Sequence, residues 1–353
     1  MRIIIRATCK EDVIDALAED AAIGHQNVGR SVCARRGQPS AAFLLTLEEH
    51  VKIIVRTFML VAVCAIATRA LAQEPVQGQA AARDAFPVPS TVRVTRDLVY
   101  AEYGSRRLKL DLYLPPQSSP AKMYPGVVVV RGGGWRQGDK EAFGFIAGQL
   151  AKEGIAAASI EYRVSDEAKF PAAAYDVKAA VRWMRANGRA HGINPKTIGA
   201  IGGSAGGHLV ALLATSGGIK ELEGAGGNAA TSSAVQAVVS MACVCNLDVD
   251  DGGGAISGFI GTPLSAHADA VKLGSPVAHV SRQSAPLLLL HSRTDPVVPY
   301  AMSVAIEERY RRAGASATLK TVDAPDTHAF WNQTKYFPDT MRLAVDFFRT
   351  HLK

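Results

Sequence analysis

The sequence predicts an α/β fold: a mostly parallel, twisted sheet with helices on both faces and a small cap. Three observations carry that expectation. Short apolar runs near Val127, Ala156, Ile198, Val235, Leu287 and Leu319 alternate with helix-compatible segments, the pattern of a sheet built by crossover connections. Runs such as Gly126-Val127-Val128-Val129-Val130 and Pro286-Leu287-Leu288-Leu289-Leu290 are apolar at every position, as expected of strands buried on both faces. Finally, Gly202, Ser204 and Gly206 form a G-x-S-x-G pattern between a β-type run at 197–201 and a helix-like run at 208–214.

Taken in chain order, residues 1–50 mix charged, Ala-rich and Arg/Gly stretches and read as a non-native upstream extension of the chain, with translation expected to begin at Val51. Residues 51–72 combine a basic stretch (Lys52, Arg56), an apolar run from Phe58 to Ala67 and the small-x-small end Ala70-Leu71-Ala72. That is the layout of a secretory signal peptide, and the apolar run is short for a membrane span. Export to a secreted or periplasmic location, without stable membrane insertion after processing, is the expectation. Residues 73–91 are rich in Ala, Gln and Pro and read as a flexible leader. Residues 92–353 read as one domain, opening with an antiparallel hairpin (92–100 and 108–114). Between Asn246 and Val280 the strand–helix alternation lapses. The acidic cluster Asp248, Asp250, Asp251 there resembles a calcium loop only superficially, since Phe259 stands where a terminal Glu is required. It reads as a mobile loop leading to a cap.

The serine motif points to chemistry. A strand that turns sharply into a helix around a serine lifts its Oγ clear of the turn, and flanking glycines avoid collisions there. The helix N-terminus favours developing negative charge. Upstream, the strand at 126–130 runs into Arg131-Gly132-Gly133-Gly134-Trp135, where backbone N–H groups of Gly133 and Gly134, joined by that of Ala205, are the expected oxyanion donors. Downstream, the strand ending at His291 leads to Asp295, held near Pro296 and Pro299, and Asp295 is the expected orienting carboxylate. A last strand near Leu319 precedes a loop carrying His328, the expected general base. Ser204, His328 and Asp295 then form a nucleophile–base–acid triad. Other residues read as structural: His208 as a packed helix residue, His291 as a strand end, Asp176 as a first-turn acid. Asp323 and Asp326 lie too near His328 along one loop to orient it.

With these residues in place the chain resembles the α/β-hydrolase serine esterases, in the branch shared by hormone-sensitive-lipase-like and feruloyl- or acetyl-xylan-esterase-like proteins. The resemblance spans residues 92–352 and rests on Gly132-Gly133-Gly134-Trp135, Ser159-Ile160-Glu161-Tyr162-Arg163, Phe170-Pro171-Ala172, Gly202 to His208, Ser275-Pro276, His291 to Pro299, and His328-Ala329-Phe330-Trp331. It implies the α/β-hydrolase fold. Two positions depart from it: Arg131 stands where the family has His before the glycines, and Glu161 where it has Asp. The family's His braces the glycine loop; Arg has enough donors to do so and adds a permanent charge.

Composition narrows the rest. The chain has 353 residues and a formal net charge of +7. Setting residues 1–72 aside removes nine of 39 Lys/Arg and seven of 32 Asp/Glu, leaving 281 residues at +5. No basic block interleaved with aromatics appears, so a nucleic-acid partner is not implied. Of five cysteines only Cys243 and Cys245 lie beyond residue 72. They read as two small buried residues without a second ligand pair for a metal, with a disulfide as the minority alternative in an oxidising compartment. No cofactor is expected. The function expected is hydrolysis of short-chain acyl esters, with acetyl or feruloyl esters of polysaccharides as the substrates implied by the resemblance and the export signal. Two alternatives stay open: an amide hydrolase of the same fold, and a non-catalytic glycan-binding descendant. Oligomeric state is not legible.

Overall fold

The computed structural model describes residues 81–116, 123–249 and 251–353. The expected extension (1–50) and signal peptide (51–72) lie outside the described residues.

An eight-stranded sheet forms the centre. Its strands are β1 (Arg93–Tyr103), β2 (Arg106–Leu114), β3 (Tyr124–Val130), β4 (Ala156–Ile160), β5 (Ile193–Gly203), β6 (Ala237–Met241), β7 (Leu287–Ser292) and β8 (Ala317–Val322). Their spatial order is β1-β2-β4-β3-β5-β6-β7-β8. β1 and β2 form the antiparallel hairpin, β2 meets β4 antiparallel, and every pairing from β4 to β8 is parallel. The apolar runs are the central strands: every residue of β4, β6 and β7 is buried, because helices cover both faces. β8 alternates between half-buried and exposed positions, as an edge strand does.

Strand order fixes where a site can form. After β3 the chain passes through α1 (Gly144–Lys152) on one face to β4, then through α2 (Ala172–Asn187) on the opposite face to β5, on β3's other side. Connections from β3 and β5 therefore diverge to opposite faces, opening a crevice at their carboxyl ends, where ligands bind in open α/β sheets. α3 (Ala205–Thr215) follows β5 directly and packs with α2 on one face. α6 (Tyr300–Ala313) lies between β7 and β8, and the closing helix α7 (Phe337–His351) packs beside α1 on the other face. α7 buries Phe337, Met341, Ala344, Val345 and Phe348 at helical spacing.

The lapse in alternation is a cap made of α4 (Ala255–Ile260), α5 (Ala268–Gly274) and two short 3₁₀ turns. Asp251 organises its start. The carboxylate accepts from the backbone N–H of Ile256 (2.6 Å) and Ser257 (3.1 Å) and from the Ser257 hydroxyl, so the acidic cluster contributes a helix cap. Residues 81–91 also differ from the flexible leader expected. Residues 81–85 are helical, Ala82 is fully buried, and Phe86 packs on Phe337 with ring centroids 4.5 Å apart. Sparse apolar residues in an Ala/Pro-rich segment conceal such docking, because the surface they cover belongs to α7. Cys243 and Cys245, read as two buried free residues, are buried and joined by a disulfide with a Cα separation of 5.2 Å.

Candidate active site

At the end of β5 the chain turns into α3 through Ser204, whose backbone sits at φ 56°, ψ −122°. A non-glycine residue there is strained, and the surroundings hold it in place. Ser204 N–H donates to Met241 O (2.9 Å), and its carbonyl accepts from His208 N–H (2.9 Å). Glycine at 206 is a steric necessity: a Cβ would stand 2.1 Å from Val130 O and 2.5 Å from Arg131 O. That contact lets the elbow touch the loop after β3.

The loop itself turns through three consecutive positive φ values, at Gly133 (101°), Gly134 (58°) and Trp135 (59°). It is closed by Arg136 and Gln137 N–H groups donating to Gly133 O (3.0 and 3.2 Å). Gly132 lies against the elbow, where a Cβ would meet Gly203 O at 2.9 Å and Ser204 Cβ at 3.3 Å. Of the expected donors, Gly133 and Gly134 lie on this turn and Ala205 is the first residue of α3, next to the nucleophile in the chain.

Arg131 braces the loop from beneath. It is 3% exposed, and its Nη1 donates to Gly132 O (3.0 Å), Gln137 O and the Tyr162 hydroxyl (3.1 Å). Its guanidinium lies 4.2 Å from the Tyr162 ring centroid. No carboxylate pairs with it among the described residues; two carbonyls and an aromatic face carry the charge instead.

Trp135 fixes the other flank. Its indole stacks on Phe259 of α4 (4.7 Å) and meets His208 edge-on (5.2 Å). The indole Nε1–H donates to His208 Nδ1 (3.2 Å), and His208 Nε2–H donates to Gly274 O of α5 (2.8 Å). Fully buried, His208 is pushed down to about 4, burial being the dominant cause and the Gly274 hydrogen bond a partial offset. It packs inside a helix as expected, and it also ties the glycine loop to the cap.

The acid and base arrive from the β7 and β8 loops. His328 Nε2 lies 2.8 Å from Ser204 Oγ, and its Nδ1 lies 2.8 Å from Asp295 Oδ2. Asp295 Oδ1 accepts from the N–H groups of Val297 (2.8 Å) and Val298 (2.9 Å). Burial raises the Asp295 carboxyl, but hydrogen bonds from His291 and His328, the His328 charge and the Val298 N–H outweigh it and hold the group well below the usual carboxylate range. The two loops are cross-linked: Ser292 Oγ–H donates to Ala324 O (2.6 Å) and Asp326 N–H to Thr294 Oγ1 (2.8 Å). The structure therefore brings together Ser204, Asp295 and His328. Asp326 serves its loop through its backbone.

Asp176, read as a first-turn acid, is instead a buried anchor. Its carboxylate takes Arg163 Nη2 (2.8 Å), Nε and the Arg163 backbone N–H (2.8 Å), fixing the segment after β4. The cap also carries an open pocket of about 780 Å³, lined in part by Asn246, Val249, Leu264, Val271 and Lys272. None of the triad residues lines it.

A strained serine between β5 and α3, a histidine and a buried carboxylate in hydrogen-bonded sequence, and a glycine turn against the nucleophile are the arrangement of a serine hydrolase in the α/β-hydrolase fold. The BD-FAE family model matches residues 110–310, and the chain belongs to that family. The chain is 32% identical over 241 residues to esterase LipQ of Mycobacterium tuberculosis, covering 66% of this chain and 56% of that protein. It is 28% identical over 242 residues to the same organism's probable carboxylic ester hydrolase LipM, again 56% of that protein. The chain thus spans about half the length of the curated relatives it matches. Among solved structures it is similar to a truncated carbohydrate esterase from gut microbiota, with a TM-score of 0.67 and 31% identity over 75% of this chain and 98% of that one. It is also similar to propionate-bound esterase 2 of Thermogutta terrifontis, with a TM-score of 0.62 and 27% identity over 74% and 96% of the two chains.

Proposed function

We propose that the protein is an exported serine carboxylesterase that hydrolyses short-chain acyl esters, with acetyl or feruloyl esters of polysaccharides as its substrate class. The observation that carries the reaction is the unbroken line from Ser204 Oγ through His328 to Asp295, each link 2.8 Å. Ser204 Oγ attacks the ester carbonyl while His328 Nε2 takes its proton. The carbonyl π pair moves onto oxygen, where N–H groups of Gly133, Gly134 and Ala205 receive the charge. Collapse breaks the bond to the alcohol oxygen, which leaves with the proton from His328, and Ser204 remains acylated. Water, deprotonated by His328, then attacks the acyl carbon; the second collapse releases the acid and returns the proton to Ser204. Asp295 stays ionised throughout, holding the imidazole and stabilising its cation.

The short-acyl reading is supported by the small cap and by the relatives. Esterase 2 of Thermogutta terrifontis has been solved with propionate and with butyrate, and the gut-microbiota relative is a carbohydrate esterase. Export is supported by the signal-peptide pattern at 51–72 and by the Cys243–Cys245 disulfide, since disulfides persist in oxidising compartments. The test is hydrolysis of p-nitrophenyl acetate, butyrate and octanoate by the chain from Gln73, beside Ser204→Ala and with fluorophosphonate labelling. Rates that fall with chain length and vanish in Ser204→Ala are expected. Labelling without ester turnover would point to an amide substrate, and absence of both would overturn the enzyme reading.

A further inference from the structure

The triad does not end at Asp295. Behind the carboxylate, His291 at the end of β7 is fully buried, and its Nε2 lies 3.3 Å from Asp295 Oδ2 and 3.0 Å from Val298 O. On the ring's other side, Nδ1 meets the Ser303 hydroxyl at 2.7 Å. Ser303 sits in the first turn of α6 and is itself fully buried.

We infer that His291 is a positioning residue for the catalytic carboxylate, and that Ser303 holds the ring in the orientation in which it acts. The inference rests on the esterase reading above. Two acceptors face Nε2, so Nε2 carries a proton and directs it between them. The Ser303 hydroxyl, the partner of Nδ1, donates to it. Asp295 Oδ2 then lies between two imidazoles, and Oδ1 is pinned by two backbone N–H groups. Every lone-pair direction of the carboxylate in use is occupied by an N–H donor, so the carboxylate has one orientation to present to His328. Were the proton on Nδ1 instead, the Nε2 lone pair would face Val298 O and Oδ2, and the 295–298 turn would be pushed off its position. The two oxygens facing Nε2 exclude that arrangement, and the Ser303 hydroxyl anchors the ring at its other nitrogen.

The groups facing His291 are few. Asp295 and the backbone of Val298 lie on its own loop, Tyr300 and Ser303 come from α6, and the Tyr300 ring stands 5.6 Å away with the Arg293 guanidinium 5.0 Å from that ring. His328 is reached through Asp295. A role confined to holding the turn together would alter stability alone, whereas a positioning role alters kcat and its pH dependence.

Three variants separate these: His291→Leu, which keeps volume and removes both nitrogens; His291→Gln, whose amide N–H₂ reaches the place of Nε2–H; and Ser303→Ala, which leaves the ring but removes the hydrogen bond that anchors its Nδ1. His291→Leu is expected to lower kcat by about tenfold to a hundredfold, the range covered at metal sites when the partner of an orienting group is removed, with KM changed less than about threefold by the same argument. Loss of one donor concentrates charge on Oδ2, so the acidic limb of its kcat/KM profile moves to higher pH. His291→Gln is expected to restore most of kcat, and Ser303→Ala to fall between. If His291→Leu does not fold, the other two carry the comparison. An active wild-type chain with kcat and pH profiles unchanged in the folded variants refutes the role. So does a Gln variant impaired as severely as Leu. A wild-type chain that takes no fluorophosphonate label and hydrolyses no ester refutes the esterase reading, and this role with it.

Discussion

His208 makes stability fall in acid, over a window its burial defines. The ring is fully buried, accepts from Trp135 Nε1–H and donates to Gly274 O. Protonating Nδ1 places an N–H against an indole N–H and a charge in an apolar box formed with Trp135 and Phe259. The group is lowered from 6.5 to about 4 by burial, so the unfolded chain binds the proton first. The contribution to stability is complete above about pH 6.5 and is lost as pH falls toward 4. At about 1.4 kcal/mol per pH unit, that window is worth roughly 3 kcal/mol.

Urea unfolding of wild type and His208→Leu at pH 7.5, 6, 5 and 4.5 isolates this contribution. Leu leaves Trp135 Nε1 and Gly274 O unpaired, which costs about 1–3 kcal/mol for each group at every pH, so the variant starts lower. Every other titrating group is common to both proteins and cancels in the difference. The gap between the two curves should narrow by roughly 2–3 kcal/mol as pH falls from 7.5 to 4.5. Curves that stay parallel from pH 7.5 to 4.5 would refute the argument, because they would mean that His208 binds its proton equally in both states.

Three further outcomes are expected. Gly206→Ala should abolish fluorophosphonate labelling with circular dichroism largely retained, since the added carbon collides with the backbone carbonyls of Val130 and Arg131, and only separation of the glycine loop from the elbow relieves it. Arg131→Met should lower kcat by about 10²–10³, the scale of a lost oxyanion donor, as two loop carbonyls lose their brace and a buried positive charge disappears; initial rates over a range of ester concentrations would show it, and a change confined to KM would contradict it. A chain starting at residue 92 should melt well below one starting at residue 81, because Phe86 on Phe337 and Val88 against Gly148 bury apolar surface worth roughly 2–4 kcal/mol; equal midpoints in differential scanning calorimetry would show that the segment contributes nothing.

What the sequence made legible was what is encoded locally. The wholly apolar strands near Val127, Ile198 and Leu287 and the glycine spacing around Ser204 each state a conformation within a few residues, and the structure has β3, β5 and β7 there. Asp295 was separable from Asp323 and Asp326 because a strand end is a place and a direction, whereas a shared loop is not. The side chains behind the site were misweighted for the opposite reason. His208 and His291 read as structural members of an element and Asp176 as a first-turn acid, but what they hold is set by tertiary contacts: Trp135 is 73 residues from His208, and Arg163 reaches Asp176 from the segment after β4. Burial of a titratable group is itself the missing signal. A histidine inside an apolar run must satisfy two ring nitrogens, and those of His208 and His291 are satisfied by the glycine loop, the cap and the catalytic carboxylate's turn. At positions 208 and 291, packing and positioning are therefore one role: the bonds that pay for burying each ring are the bonds that hold the site in register.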